Sequence, residues 1–211
     1  MTQRFGWPGQ LVVRAREGLV PRAQEAVIKK MLPRMFNRVI PAFMSKRQII
    51  DLPEQRHFVT FSTYQRRRFL DSPHTRDIVL EVLEQCLTVH RAGCTGFVVM
   101  PNHVHAVLFG EAEFQISRFV QVWKKTSSYR LKRLYAGEIL RYHQLCPENC
   151  PIWQASFYDF NVESDEKLSE KLEYMHNNPV EARLAATSLS WAWSSARFYE
   201  CGEAVGVTIT Q

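Results

Sequence analysis

Val98-Val-Met-Pro-Asn-His-Val-His-Ala-Val-Leu108 decides how the rest of the chain is read. It consists of two apolar, β-branched runs meeting at Pro101-Asn102, a dipeptide suited to a tight turn, and so predicts a β-hairpin. The returning arm opens on His103 and His105. Alternate side chains of a strand share a face, so the two imidazoles point one way while Val104 and Ala106 point the other. Two neutral imidazoles so placed can reach one divalent ion. Equally, an i, i+2 pair describes the polar face of a half-exposed strand, and the pair alone does not separate the two readings.

Working outward, the hairpin is framed by further elements. Upstream, Arg56-His-Phe-Val-Thr-Phe-Ser-Thr63 alternates as a first strand, and Ser72-Pro73 supplies a capping hydroxyl and an N1 proline for a helix. Ile78, Val79, Val82, Leu83, Cys86 and Leu87 then recur at helical spacing until Gly93, which the reading takes as the stop. Thr95 to Met100 and His103 to Phe109 form the second and third strands.

Downstream, Phe114 to Tyr135 has the period of a long amphipathic helix, and Trp153 to Val162 reads as extended. Ser164-Asp-Glu caps a last helix running to Asn177-Asn178, ahead of Pro179. Strand–helix–strand–strand–helix–strand is the order of a ferredoxin-like fold. The class expected is therefore α+β, an antiparallel sheet with helices packed on one face. The domain is placed at 51–200, preceded by a basic N-terminal extension, 1–50, with a helical stretch from Arg22 to Met35, and followed by a tail, 201–211.

Charge is placed unevenly. Residues 1–50 hold ten Lys+Arg against two Asp+Glu, leaving seventeen against nineteen for the remaining residues. A second basic stretch runs from Arg118 to Arg141, where seven cations face only Glu138. Patches of this kind favour a polyanion, nucleic acid foremost, although a solvated helix face carries similar charge. Arg118, Lys124, Lys125, Arg130, Lys132 and Arg133 stand among Thr126, Ser127 and Ser128, side chains that donate to phosphate oxygens.

Five scattered cysteines argue against a disulfide framework. Cys146 and Cys150 read as thiols rather than as half of a zinc site. No run of eighteen apolar residues and no secretory leader is visible, so the expected compartment is the cytoplasm.

The motifs taken together carry a resemblance. Phe58-Val-Thr-Phe, Val99-Met-Pro-Asn-His-Val-His105, Trp123-Lys-Lys-Thr126, Trp153-Gln-Ala-Ser-Phe-Tyr-Asp159, Tyr174-Met-His-Asn-Asn-Pro-Val180 and Trp193-Ser-Ser195 occur in the order found in the REP-associated tyrosine transposases. The chain resembles that bacterial family, within the insertion-sequence-200-like branch of the HUH single-strand nucleases, over residues 56–199. The resemblance implies a ferredoxin-like fold and cleavage and rejoining of single-stranded, hairpin-forming DNA through a 5′-phosphotyrosine, by a monomer or homodimer. It also implies a divalent metal, Mg²⁺ or Mn²⁺, on His103 and His105, and places the nucleophile at Tyr158.

The family pattern is not matched throughout. Phe160 stands where many relatives have histidine, and Arg183 where many have glycine. The polar residue that completes the site four positions after the tyrosine in compact relatives corresponds to Val162. His57, Asp159 and Asn161 are candidates for a third metal ligand, each with a structural role as its alternative, and His176 reads as a buttress of the last helix. Two other functions fit the same residues: an impaired, domesticated protein that binds palindromic DNA, and a metal-dependent hydrolase that activates water.

Overall fold

The computed structural model describes residues 55–111, 114–137 and 150–211. The helix expected at Arg22–Met35, the rest of the 1–50 extension and Cys146 lie outside the described residues. Within them the elements are β1 (Arg56–Ser62), α1 (Pro73–His90), β2 (Ala92–Met100), β3 (His103–Gly110), α2 (Ile116–Gly137), β4 (Tyr158–Val162), α3 (Asp165–Glu181) and α4 (Ala196–Cys201). The four strands form one sheet in the order β2-β3-β1-β4, every pair antiparallel. This is the ferredoxin-like architecture expected.

Strand parity sorts the side chains onto two faces. On one, Phe61 meets Trp123 of α2 edge-on at 4.9 Å and Trp153 at 4.8 Å. The Trp123 indole donates to the Val79 carbonyl of α1 at 3.0 Å, so both crossover helices pack on that face. Removing such aromatics from water stabilises the fold by ~2–3 kcal/mol each. On the opposite face, Phe58, Val98, Met100 and Val107 form a second core with Leu168, Leu172 and Met175 of α3 and with Trp191. The sheet is thus covered on both sides, with α3 over the face that carries the histidines.

Helix ends follow local chemistry with two departures. The Ser72 hydroxyl accepts from the Thr75 amide at 3.3 Å, capping α1 as expected, a contact that contributes about 1 kcal/mol. The stop is Arg91 in the left-handed region at φ 49°, not Gly93. Gly93 instead lies in β2, where a Cβ would come within 2.2 Å of the Phe109 ring. The final long helix continues through Pro179 to Glu181.

The stretch from Trp153 pairs differently from expectation: Trp153 bridges Thr63, and the regular strand begins only at Tyr158. The last eleven residues are not a free tail. The Thr210 amide donates to the Cys94 carbonyl at 2.9 Å, the Thr208 amide and hydroxyl donate to Glu84, and Val205 and Val207 are buried. Among the described residues no helix is long and apolar enough to cross a membrane.

Candidate active site

β-Sheet register builds the site. Thr60 of β1 lies opposite His105 on one side and opposite Tyr158 on the other, and Ser62 lies opposite His103. All of these side chains share the face covered by α3. His103 and His105 are both buried, their ring centroids 4.8 Å apart.

Each ring is held from Nδ1. In His103 that nitrogen contacts the Asn102 Oδ1 at 2.7 Å, and in His105 it contacts the Thr60 hydroxyl at 2.6 Å. The tautomer donating from Nδ1 leaves Nε2 as a bare acceptor, the arrangement by which outer partners orient metal-binding histidines. His105 Nε2 is buried with no hydrogen-bond partner. Leaving such an atom unsatisfied costs about 1–3 kcal/mol, which a bound cation would recover.

Electrostatics keep both rings uncharged. Burial, aided by the Arg66 guanidinium, pushes His103 down to about 4, and Asn178 partly opposes the shift. His105 is held well below the ordinary range by burial, by His103 and by Arg66. A metal ligand must be neutral imidazole, and both meet that condition across the physiological range.

Above the histidines lies α3. Tyr174 meets the His105 ring edge-on at 5.5 Å, and the Phe58 ring stacks on His105 at 5.4 Å. Asn178, one turn further along the same helical face, donates from Nδ2 to the Tyr174 main-chain carbonyl at 3.2 Å, and its side chain bears on the protonation of both His103 and the Tyr174 phenol. Burial raises the Tyr174 phenol above its ordinary value, while Asn178 and Arg66 pull it back. Two imidazoles, a carboxamide and a phenol therefore converge at one place.

The sequence reading did not single out Tyr174 and Asn178, although the signal was present. The resemblance calls for a polar residue four positions after the tyrosine. Tyr158 answers with Val162, Tyr174 with Asn178.

Tyr158 shares the histidine face but is 45% exposed on the strand at the end of the sheet order. His57, Asp159 and Asn161 have the opposite parity and face the crossover helices, where His57 pairs with Asp159 at 3.1 Å. None of the three can join the His103–His105 pair. Among the described residues no cluster of three His, Cys, Asp or Glu is present; the Asn178 carboxamide oxygen is a group on this face that could hold a cation beside the two histidines. His176 bonds the Ser195 hydroxyl through Nε2 at 2.8 Å, as a buttress would.

The basic helix, α2, lies on the opposite face of the sheet from the histidines. Its cations divide into two sets. Lys124 donates to the carbonyls of Gln154, Ala155 and Ser156 at 2.6, 2.9 and 3.3 Å, and burial lowers its pKa. Arg130 pairs with Glu81. Arg118, Lys125, Lys132 and Arg133 are exposed, with the Arg133 guanidinium 5.8 Å from the Tyr129 ring centre.

The family described as IS200-like transposase matches residues 54–178 of the chain. Among solved structures, the fold is similar to that of a REP-associated tyrosine transposase bound to a REP hairpin. The TM-score is 0.59 at 16% identity, covering 80% of this chain and 93% of that one. A putative transposase from Deinococcus radiodurans is also similar, with a TM-score of 0.45 at 19% identity over 64% of this chain and 96% of that one. No curated protein matches.

Proposed function

Since the chain belongs to the IS200-like transposase family, we propose that it cleaves and rejoins single-stranded, hairpin-forming DNA through a phosphotyrosine on Tyr174. The observation that carries this reading is the meeting of Tyr174 and Asn178, one helical turn apart, with His105 and His103. His103, His105 and the Asn178 carboxamide oxygen form the set that would hold a divalent ion. Such an ion, Mg²⁺ or Mn²⁺, supplies charge neutralisation at a non-bridging phosphate oxygen.

The remaining chemistry belongs to the chain. The Tyr174 oxygen attacks phosphorus as it sheds its proton, the bond from phosphorus to the 3′ oxygen breaks, and that oxygen leaves as a 3′-hydroxyl. The 5′-phosphate stays on the tyrosine with its bond energy conserved for rejoining. Asn178, whose side chain pulls the Tyr174 phenol down, stabilises the developing phenolate. Arg66, whose charge already bears on Tyr174, adds to that stabilisation.

A hairpin is the substrate of choice for a test because the structural relative of the same fold is bound to one. Incubated with single-stranded hairpin DNA and Mn²⁺, the parent protein should form a covalent adduct and Tyr174→Phe should not, while both bind the DNA. Tyr158 is the second reading, favoured by its register opposite Thr60 and its exposed ring. Loss of the adduct in Tyr158→Phe with retention in Tyr174→Phe would move the nucleophile there. Cleavage without an adduct by either would favour activated water, and binding without cleavage by the parent would favour the domesticated reading.

A further inference from the structure

We infer that Tyr158 is a stacking platform for an unpaired nucleobase adjoining the scissile phosphate. The inference rests on Tyr174 as nucleophile, which leaves Tyr158 without a chemical role.

His105, Thr60 and Tyr158 occupy one row across three adjacent strands and share one face. Two inter-strand steps separate the Tyr158 backbone from that of His105 by ~10 Å. A strand of DNA whose phosphate lies at the histidines therefore passes its next unpaired base over the Tyr158 ring.

The Tyr158 ring stands at the start of the edge strand. Phe160, two residues on and on the same face, is covered by α3, with the Lys171 ammonium 5.0 Å from its ring centre. Tyr158 itself is 45% exposed. A large aromatic half in water at a site for DNA is the usual form of a stacking platform, which is tolerant of base identity because every base has a π-face.

The platform is also rigid. Its backbone pairs with β1, and the preceding residues Gln154 to Ser156 are pinned through their carbonyls to the Lys124 ammonium. A ring carried on a pre-ordered backbone loses less entropy on binding than one on a free loop.

The test is a cycle between protein and DNA, read as binding without cleavage in metal-free buffer. Hairpin oligonucleotides with a single-stranded flank are made with one abasic position at a time. Tyr158→Ala should weaken binding of the intact flank about tenfold, and Tyr158→Phe, which keeps the ring, should restore it. At one abasic position the parent should lose the same factor, and there Tyr158→Ala should cost nothing more. Equal affinity of parent and Tyr158→Ala for the intact flank, or additive losses at every abasic position, would overturn the inference. Should Tyr158→Ala fail to fold, the abasic series on the parent and Tyr158→Leu still decides it. An adduct lost in Tyr158→Phe with affinity unchanged would also overturn it, by making the hydroxyl the functional group. A parent that binds and shows the stacking cycle but never forms an adduct would overturn the transferase reading alone.

Discussion

His57 Nδ1 lies 3.1 Å from Asp159 Oδ1 on the face of the sheet opposite His103 and His105. His57 is buried and Asp159 is partly so, with side chains 1% and 11% exposed. Two residues with metal-binding chemistry are thereby engaged with each other beneath the crossover helices.

The first prediction follows from that placement. Asp159→Asn should lower the stability of the fold by about 1–3 kcal/mol, because a buried partner is lost, while Mn²⁺ binding keeps its affinity and stoichiometry. Urea unfolding and calorimetric metal titration read the two effects separately. A folded variant that no longer bound Mn²⁺ would place Asp159 in the metal site.

Lysines next to each other in sequence should behave differently. Lys125→Ala removes an exposed cation, so the slope of log affinity for DNA against log salt should fall by about 1. Lys124→Ala should leave that slope unchanged and instead release the carbonyls of Gln154, Ala155 and Ser156, visible as faster proteolysis near those residues. Interchanged outcomes would mean that Lys124 leaves its carbonyls when DNA binds.

Arg66 bears on the His103–His105 pair electrostatically. His103 is low chiefly through burial and secondly through Arg66. Arg66→Ala should raise the His103 pKa from about 4 while leaving it below the ordinary histidine range, and should tighten Mn²⁺ binding by a few-fold. Imidazole resonances followed by NMR through an acid titration, and Mn²⁺ titration without DNA, measure both. Weaker Mn²⁺ binding in this variant would show that Arg66 organises the site rather than merely charging it.

His176 predicts how stability depends on pH. Burial holds its folded pKa near 4, whereas in the unfolded chain it titrates near 6.5. Between those values the unfolded chain binds more protons, so stability is complete above about pH 6.5 and falls as pH drops toward about 4, by on the order of 3 kcal/mol from this residue. His103 and His105 act in the same direction. Urea midpoints at pH 7 and pH 5 should differ by less in His176→Gln than in the parent. An equal difference would mean that His176 is solvated in the native state.

How much was legible beforehand depends on the range of the signal. The hairpin at Pro101-Asn102, the cap at Ser72 and the shared face of His103 and His105 were readable because each rests on neighbours in sequence: turn preference, a capping hydroxyl, and the two-residue period of a strand. The order of strands and helices then left few topologies and pointed to the ferredoxin-like sheet; its spatial order, β2-β3-β1-β4, came from the structure.

The choice between Tyr158 and Tyr174 was not local in that sense. Both lie in motifs, Tyr158 opening β4 and Tyr174 within α3. Only the docking of α3 on the histidine face brings Tyr174 to His105 and Asn178 to His103. The separation of His57 and Asp159 from the His103–His105 pair likewise depends on pairing between β1 and β4.

The sequence by itself therefore determined the four strands and three long helices in their order, the family, and the shared face of His103 and His105. Tertiary structure decided which tyrosine and which amide join those histidines, which lysines are free, and that the last residues are docked. The physical reason is that periodicity and capping act within a few residues, whereas a site is assembled by packing between segments distant in sequence, whose register and docking are set by the burial of whole faces.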